Sequence, residues 1–412
     1  MVKKQGTSKR RTLLEKSMNI ETEQIRRHRL RAHHLDKKQP MTGLTAAAGA
    51  CGFQNSPPGA WETALFNRLE GCTLQTAQNA LYLEKSLIQA WSFRGAPVVF
   101  PAEQSAVFLT ALRAQEGESP WIYTRGITAA LDFLQMSFED LLERTEKAAG
   151  HLDDCVIKSK DALDRTLAEI IEKELPEEKR KFWRAPSMYG SPDRQTVGEA
   201  AVSFLLRPSS FASLVVFGKR QGNSPTFTSF KRWTGGLPEK TPDAEKALVR
   251  KFLRCYGPST KEGLMAWLGC SPRQAKRLWH TISDEMEPVM VEKKTASMLT
   301  MDIESLLRSE KSDDRLILLG PHDPYLDIKD RAVLLEDKAL QKLVWKTVGN
   351  PGVVLKNGRA AGIWKAKTQK DNVEISIRLF EAFQAAEKKA IERLAGEYAD
   401  FRGLELKNFY IE

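Results

Sequence analysis

Within Pro272–Ile282, Arg273, Arg277 and His280 recur at i, i+4 and i+7, which sets three basic groups along one side of a helix. Ala275, Leu278, Trp279 and Ile282 take the opposite side. Such a row can bind the phosphates of a duplex, and it can equally be a solvated face. Lys219 and Arg220 stand at the tip of Gly218-Lys219-Arg220-Gln221-Gly222, between two strand-like runs, where they can touch phosphates or simply solubilise a turn. Trp233 follows Lys231-Arg232 and can stack on a base or close a core. His322, Asp323, Asp327 and Asp330 gather polar groups near the C-terminus, but a single His without a second ligand motif makes a poor metal site. Asp323-Pro324-Tyr325 reads instead as a turn, and Asp330-Arg331 as ion-pairing residues. His33-His34 read as part of the first helix rather than as a ligand pair. The five cysteines, at 51, 72, 155, 255 and 270, include no C-x-x-C pair, so neither a disulfide framework nor a thiolate zinc site is expected. The sequence has no phosphate-binding G-x-x-x-x-G-K-[ST], no G-x-S-x-G and no H-E-x-x-H. No metal and no organic cofactor is expected.

The elements that must position these groups follow from length and charge. A chain of 412 residues, 42% hydrophobic and 28% charged, suits two to four ordinary globular domains. The net charge is +10, and residues 1–40 carry most of it, with twelve Lys/Arg against four acids. Basic tails favour polyanions, although a solvated leader is the plain alternative. No apolar run reaches about 18 residues, which excludes a spanning helix. The basic start lacks an apolar h-region, so a cytoplasmic location is expected.

Periodicity then orders the chain. Residues 1–17 are too polar to fold alone. Asn19–Leu35 suits a helix, and Gln54-Asn55-Ser56-Pro57-Pro58-Gly59 a turn. Helices are expected at Trp61–Arg68, Thr73–Gln89 and Ala102–Arg113, with a strand at Pro97–Pro101. A helix at 159–174, a helix at Gln195–Leu206 and strand-like runs at Ser213–Phe217 and Thr226–Phe230 give the order helix, helix, hairpin. It recurs with helices at Ala244–Cys255, Thr260–Leu268 and Pro272–Ile282 and a hairpin at Val289–Val291 and Ser297–Thr300. Ser259 and Ser271 are candidate N-caps, and Pro272 suits the first helical position. Three helices followed by a hairpin is the winged helix-turn-helix order. The last hundred residues read as strands around a helix at Phe380–Ala395, with Asn357-Gly358 as a hairpin turn, giving an α+β or barrel-like end.

Four patterns in order carry a resemblance. They are Gly52-Phe53-Gln54 with Pro57-Pro58; Trp91-Ser92-Phe93-Arg94-Gly95 leading to Val98-Val99 and Pro101-Ala102-Glu103; Tyr256-Gly257-Pro258-Ser259-Thr260 with Trp267 and Gly269; and Leu318-Leu319-Gly320-Pro321-His322-Asp323-Pro324-Tyr325-Leu326 with Asp330-Arg331, ending in Gly358-Arg359, Gly362 and Trp364. The chain resembles the bacterial winged helix DNA-binding domain-containing proteins, whose best-known members are DNA glycosylases that unhook interstrand crosslinks. The resemblance implies an α+β fold of three tandem winged helix-turn-helix units with a C-terminal β-barrel-like domain around a concave DNA-binding surface. The corresponding boundaries are a tail at 1–17, units at 18–130, 131–240 and 241–305, and a β-rich domain at 306–412.

It also implies a Gln-x-Gln or Gln-x-Asp catalytic pair in the first unit. Here that place reads Gln54-Asn55-Ser56, so Gln54 would position the hydrolytic water, with Asn55 or Ser56 assisting. A Ser reaches less far than Gln or Asp, so weaker, altered or absent activity is expected. Arg94 falls in the second pattern as a phosphate contact or a buttress. The leading expectation is a monomeric, nucleoid-associated monofunctional glycosylase acting on alkylated or crosslinked purines in double-stranded DNA, with no obligate protein partner. The alternative is a non-catalytic regulatory or architectural DNA-binding protein.

Overall fold

A computed structural model of the chain describes residues 19–119, 121–190, 193–222, 224–239, 241–308 and 315–412. The expected tail at 1–17 lies outside them.

One order of elements occurs three times: a helix, a short strand, two helices and a hairpin, with the short strand paired to the hairpin's last strand. In the first occurrence Leu44–Gly49 precedes the strand Phe53–Gln54. The helices Ala60–Phe66 and Leu74–Tyr82 lead to the hairpin Leu87–Trp91 and Pro97–Pro101. Phe53 pairs with Val99, and Gln54 with Val98. In the second, Phe138–Ala149 precedes Ile157–Lys158, then Lys160–Glu174 and Val197–Phe211 with an additional short helix, Glu177–Trp183, between them, then Val216–Phe217 and Thr226–Thr228. In the third, Ala244–Tyr256, Lys261–Leu268 and Pro272–His280 lead to Met286–Val291 and Lys294–Leu299. There the short strand shrinks to one bridge between Ser259 and Ser297.

Local chemistry explains the helix starts. The hydroxyls of Thr73, Ser137, Ser159, Thr196, Thr260 and Ser271 each accept a backbone N–H of the first turn. The cap of Lys261–Leu268 is Thr260, not Ser259, whose backbone is committed to the bridge with Ser297. Two expected helices are shorter. Thr73–Gln89 yields a helix only to Tyr82, because Leu87–Trp91 is wholly buried as the first strand of the chain's first hairpin. Ala102–Arg113 breaks into the helix Ser105–Phe108 between 3₁₀ turns.

The first described residues pack away from the first of these units. Asn19–Ile20 pairs in parallel with Met290–Val291 of the third hairpin. Ile25 and Leu30, on the helix Thr22–Ala32, share a core with Val289, Met298 and the C-terminal sheet.

The C-terminal part is a correction: it is an open sheet, not a barrel. Leu316–Leu319, Gly352–Lys356, Arg359–Gln369, Asn372–Leu379 and Glu405–Ile411 lie in that order, the last pair parallel. Alternation along the strands makes both faces apolar. Ile317, Leu319, Val353, Leu355 and Ile363 face the N-terminal helix. Leu318, Val354, Trp364, Ile375 and Ile377 face the helix Ala385–Arg402. Helices cover both faces, so no interior requires closure.

Candidate active site

The short strand of the first unit points its two side chains opposite ways. Phe53 is buried, while Gln54 is half-buried and enters a cavity of about 370 Å³. Its walls include Arg94, His322, Asp327, Arg331, Trp345 and Asn350. Three of the four sequence patterns thus meet at one place.

Several wall residues are held by contacts between segments far apart in sequence. Arg94 adopts φ +57°, donates from Nη1 to the Trp267 carbonyl at 2.7 Å and forms an ion pair with Asp327. Gly269, at φ +69°, closes the helix Lys261–Leu268, and a Cβ there would stand 2.9 Å from the Arg94 Cα. Phe93 stacks on Trp267 with ring centroids 4.5 Å apart, and the Tyr256 hydroxyl donates to the Pro324 carbonyl at 3.0 Å. The second and third patterns are therefore chiefly a frame that presents Arg94 and the segment 320–327.

That segment is anchored by Asp323. Its carboxylate takes two hydrogen bonds from Arg68, at 2.8 and 2.9 Å, and a third from the Tyr325 backbone N–H at 3.0 Å. Arg68 also donates to the carbonyls of His33 and Ala64, so this buried pair is well satisfied. Asp330 pairs with Arg29 at 2.7 Å. The turn and ion pairs expected at Asp323 and Asp330 thus hold His322 and Asp327 at the cavity. Burial keeps the His322 imidazole below its ordinary pKa; Arg94 lowers it further and Asp327 opposes. His322 is therefore neutral near pH 7 and has a lone pair to accept a proton. Trp345 donates from its indole N–H to the Leu326 carbonyl at 2.9 Å, and Arg331 lies over its ring at 5.0 Å.

The triplet beginning at Gln54 divides. Asn55 is buried, accepting from the Gly59 N–H at 2.7 Å and donating to the Gln89 side chain at 2.9 Å. Both ends of its amide are used, so it shapes the turn. Ser56 is exposed and is not a wall residue of the cavity. Gln54 is the member of the triplet that the cavity receives.

The residues expected to meet DNA are dispersed. Arg277 is bound by Glu118 at 2.7 and 3.0 Å and by Glu245 at 2.5 Å. Burial alone would raise the Glu118 pKa, but hydrogen bonds from Arg277 and the Gln115 N–H hold it below its usual range. Gln274 on the same helix is buried, donating to the Leu112 carbonyl at 2.9 Å. Part of this helix therefore docks onto residues 112–118. Arg273, lying against Gly117, and His280 remain exposed. Lys219 is exposed beyond the Val216–Phe217 strand, and Arg220 follows it at the tip. Trp233 is half-buried against the hydrophobic core, with the Lys85 ammonium 5.0 Å from its ring.

This fold and cavity define a class. The family described as DNA glycosylase AlkZ-like matches residues 47–401, and the chain belongs to that family. It is similar to the interstrand DNA cross-link repair glycosylase of Streptomyces sahachiroi, at 25% identity over 405 residues covering 94% of this chain and 98% of that one. The solved structure of Streptomyces sahachiroi DNA glycosylase AlkZ shares the fold, with a TM-score of 0.74 at 22% identity across 96% of this chain and all of that one.

Proposed function

We propose that this chain hydrolyses the N-glycosidic bond of alkylated or crosslinked purines in double-stranded DNA as a monofunctional glycosylase. The observation that carries this reading is the convergence of Gln54, Arg94, His322 and Asp327 on one cavity. A purine alkylated at N7 or N3 is already cationic, so it needs little acid catalysis. The C1′–N bond breaks with its electron pair passing to the base, which leaves neutral, and the sugar becomes oxocarbenium-like. Water then bonds to C1′ and loses a proton. The Gln54 amide can orient that water by accepting from it and donating to it. Neutral His322 can take the proton and pass it to solvent. Asp327 adds negative charge facing the developing cation, moderated by Arg94.

The threefold order of helix, short strand, two helices and hairpin supports three tandem winged-helix units, with Gln54 on the short strand of the first. Lys219, Arg273 and His280 are the exposed groups suited to phosphates, with Arg220 half-buried beside Lys219. Among the described residues no helix is long and apolar enough to cross a membrane. A monomer acting at the nucleoid, with no cofactor in the chemistry and no obligate protein partner, suffices for this reading.

The exposed position of Ser56 favours the second reading, a binding protein without catalysis. Incubation with duplex DNA carrying N7-alkylguanine, followed by alkaline cleavage, separates the two. Strand breaks that disappear in Gln54→Ala are expected. No breaks, with duplex binding retained, would establish the non-catalytic protein.

A further inference from the structure

Beneath the strand that carries Gln54, three side chains of ligand type meet without any part in the chemistry above. His33 caps the helix Thr22–Ala32, Cys51 precedes the Phe53–Gln54 strand by two residues, and Cys255 is next to last in Ala244–Tyr256. All three are buried, and one nitrogen and two sulfur atoms lie within 4.8 Å of one another. Their spacing in sequence matches no ligand motif, so the sequence alone predicts no thiolate site.

The imidazole is prepared as a ligand. Its Nε2 lies 3.1 Å from the Cys255 carbonyl oxygen, which can only accept, so Nε2 carries the ring proton. The lone pair is then on Nδ1, 3.6 Å from the Cys51 sulfur. An imidazole whose other nitrogen donates to a backbone carbonyl is the usual state of a metal-bound histidine. Tyr256 and Tyr325 meet the ring edge to face, at 5.2 and 5.5 Å, and fix its plane. Zinc bonds of about 2.3 Å to sulfur and 2.0–2.1 Å to nitrogen at tetrahedral angles place the two ligand atoms about 3.6 Å apart.

We propose that His33 Nδ1 and the sulfurs of Cys51 and Cys255 bind one zinc ion that clamps the Gln54 strand to the N-terminal helix and the third helical unit. Two thiolates and an imidazole suit a thiophilic d¹⁰ cation, and two thiolates neutralise a divalent one in a buried place. Binding releases one proton from each thiol to solvent, and a small exogenous ligand completes the tetrahedron. The role is structural, and it stands whether or not the chain is a glycosylase.

The test uses the full chain, purified under reductant, stripped with a chelator and titrated with cobalt(II) or zinc(II) alone. One cobalt per chain with a thiolate-to-cobalt charge-transfer band is expected, displaced stoichiometrically by zinc. Zinc should also raise the thermal midpoint of the stripped protein. Cys72→Ser should bind as the parent does, whereas Cys255→Ser and His33→Gln should lose the band. Because those two variants can misfold, the parent titration is decisive: no band and no shift in midpoint would overturn the proposal. So would a non-reduced chain two hydrogens lighter, with Cys51 joined to Cys255 in its peptide map.

Discussion

Arg68 and Asp323 form a two-pronged ion pair with side-chain exposures of 1% and 0%, joining the turn after the helix Ala60–Phe66 to the segment that carries His322. A fully buried pair is costly to assemble and more costly to break, because either partner left alone is an uncompensated charge. Arg68→Ala and Asp323→Ala should each lose about 3–5 kcal/mol of stability in urea unfolding. The double replacement Arg68→Leu/Asp323→Leu should lose less than the two single losses combined. Simple additivity would show that the two residues do not act as a unit.

Gln54 reaches the cavity from a strand whose other side chain, Phe53, is core. Gln54→Ala should therefore lower single-turnover base release by about a hundredfold or more while leaving duplex affinity and the thermal midpoint unchanged. Ser56→Ala, altering an exposed position outside the cavity, should change release less than twofold. Equal losses in both variants would remove Gln54 from its special place.

His322 supplies a pH dependence. Burial lowers its pKa, so it is a neutral acceptor above its ordinary value of about 6.5. Single-turnover release should be flat from neutral pH upward and fall below it as the imidazole gains a proton. His322→Gln should lose rate at pH 7 and flatten the acid limb. An unchanged limb in that variant would assign the titration to another group.

His28 makes a separate prediction about stability. It is buried, its Nε2 lies 2.9 Å from the Arg254 carbonyl, and burial lowers its pKa to about 4. The unfolded chain binds this proton more readily. The contribution is therefore complete above pH about 6.5 and is lost as pH falls toward about 4, amounting to about 3 kcal/mol across that window. Urea unfolding at pH 7 and pH 4.5 should show a steeper loss for the parent than for His28→Gln. Parallel losses would contradict it.

Arg273 and Arg277 share a helix but should behave differently. Arg273 is exposed, so Arg273→Ala should weaken duplex binding and reduce the slope of log affinity against log salt by about one if it meets a phosphate. Arg277 is held by Glu118 and Glu245, so Arg277→Ala should lower the thermal midpoint instead. The reverse pattern would mean that Arg277 leaves its carboxylates to bind DNA.

Much of the local structure was legible in the sequence. Ser271 caps its helix, and Pro272 opens it where its missing N–H costs nothing. Asn55 closes the turn that Asn-Ser-Pro-Pro-Gly announced. The helix Lys160–Glu174 and the hairpin that turns at Asn357-Gly358 follow from periodicity and turn chemistry. These features arise from partners a few residues apart, so short windows contain their causes. The open C-terminal sheet was not legible, because each strand alternates between two covered faces and no window reveals what covers the second.

The sequence by itself also determined which residue types were on hand for the site, and ordered patterns marked Gln54, Arg94 and the segment through Leu326. Only the tertiary structure decided where they stand. It placed Gln54 with His322 and Asp327, withdrew Asn55 into the turn, committed Arg277 to carboxylates and brought Cys51 and Cys255 beside His33. Residues so far apart in the chain meet because apolar faces that cannot be covered locally must be buried against distant elements. That packing selects which polar side chains face water, a cavity or one another.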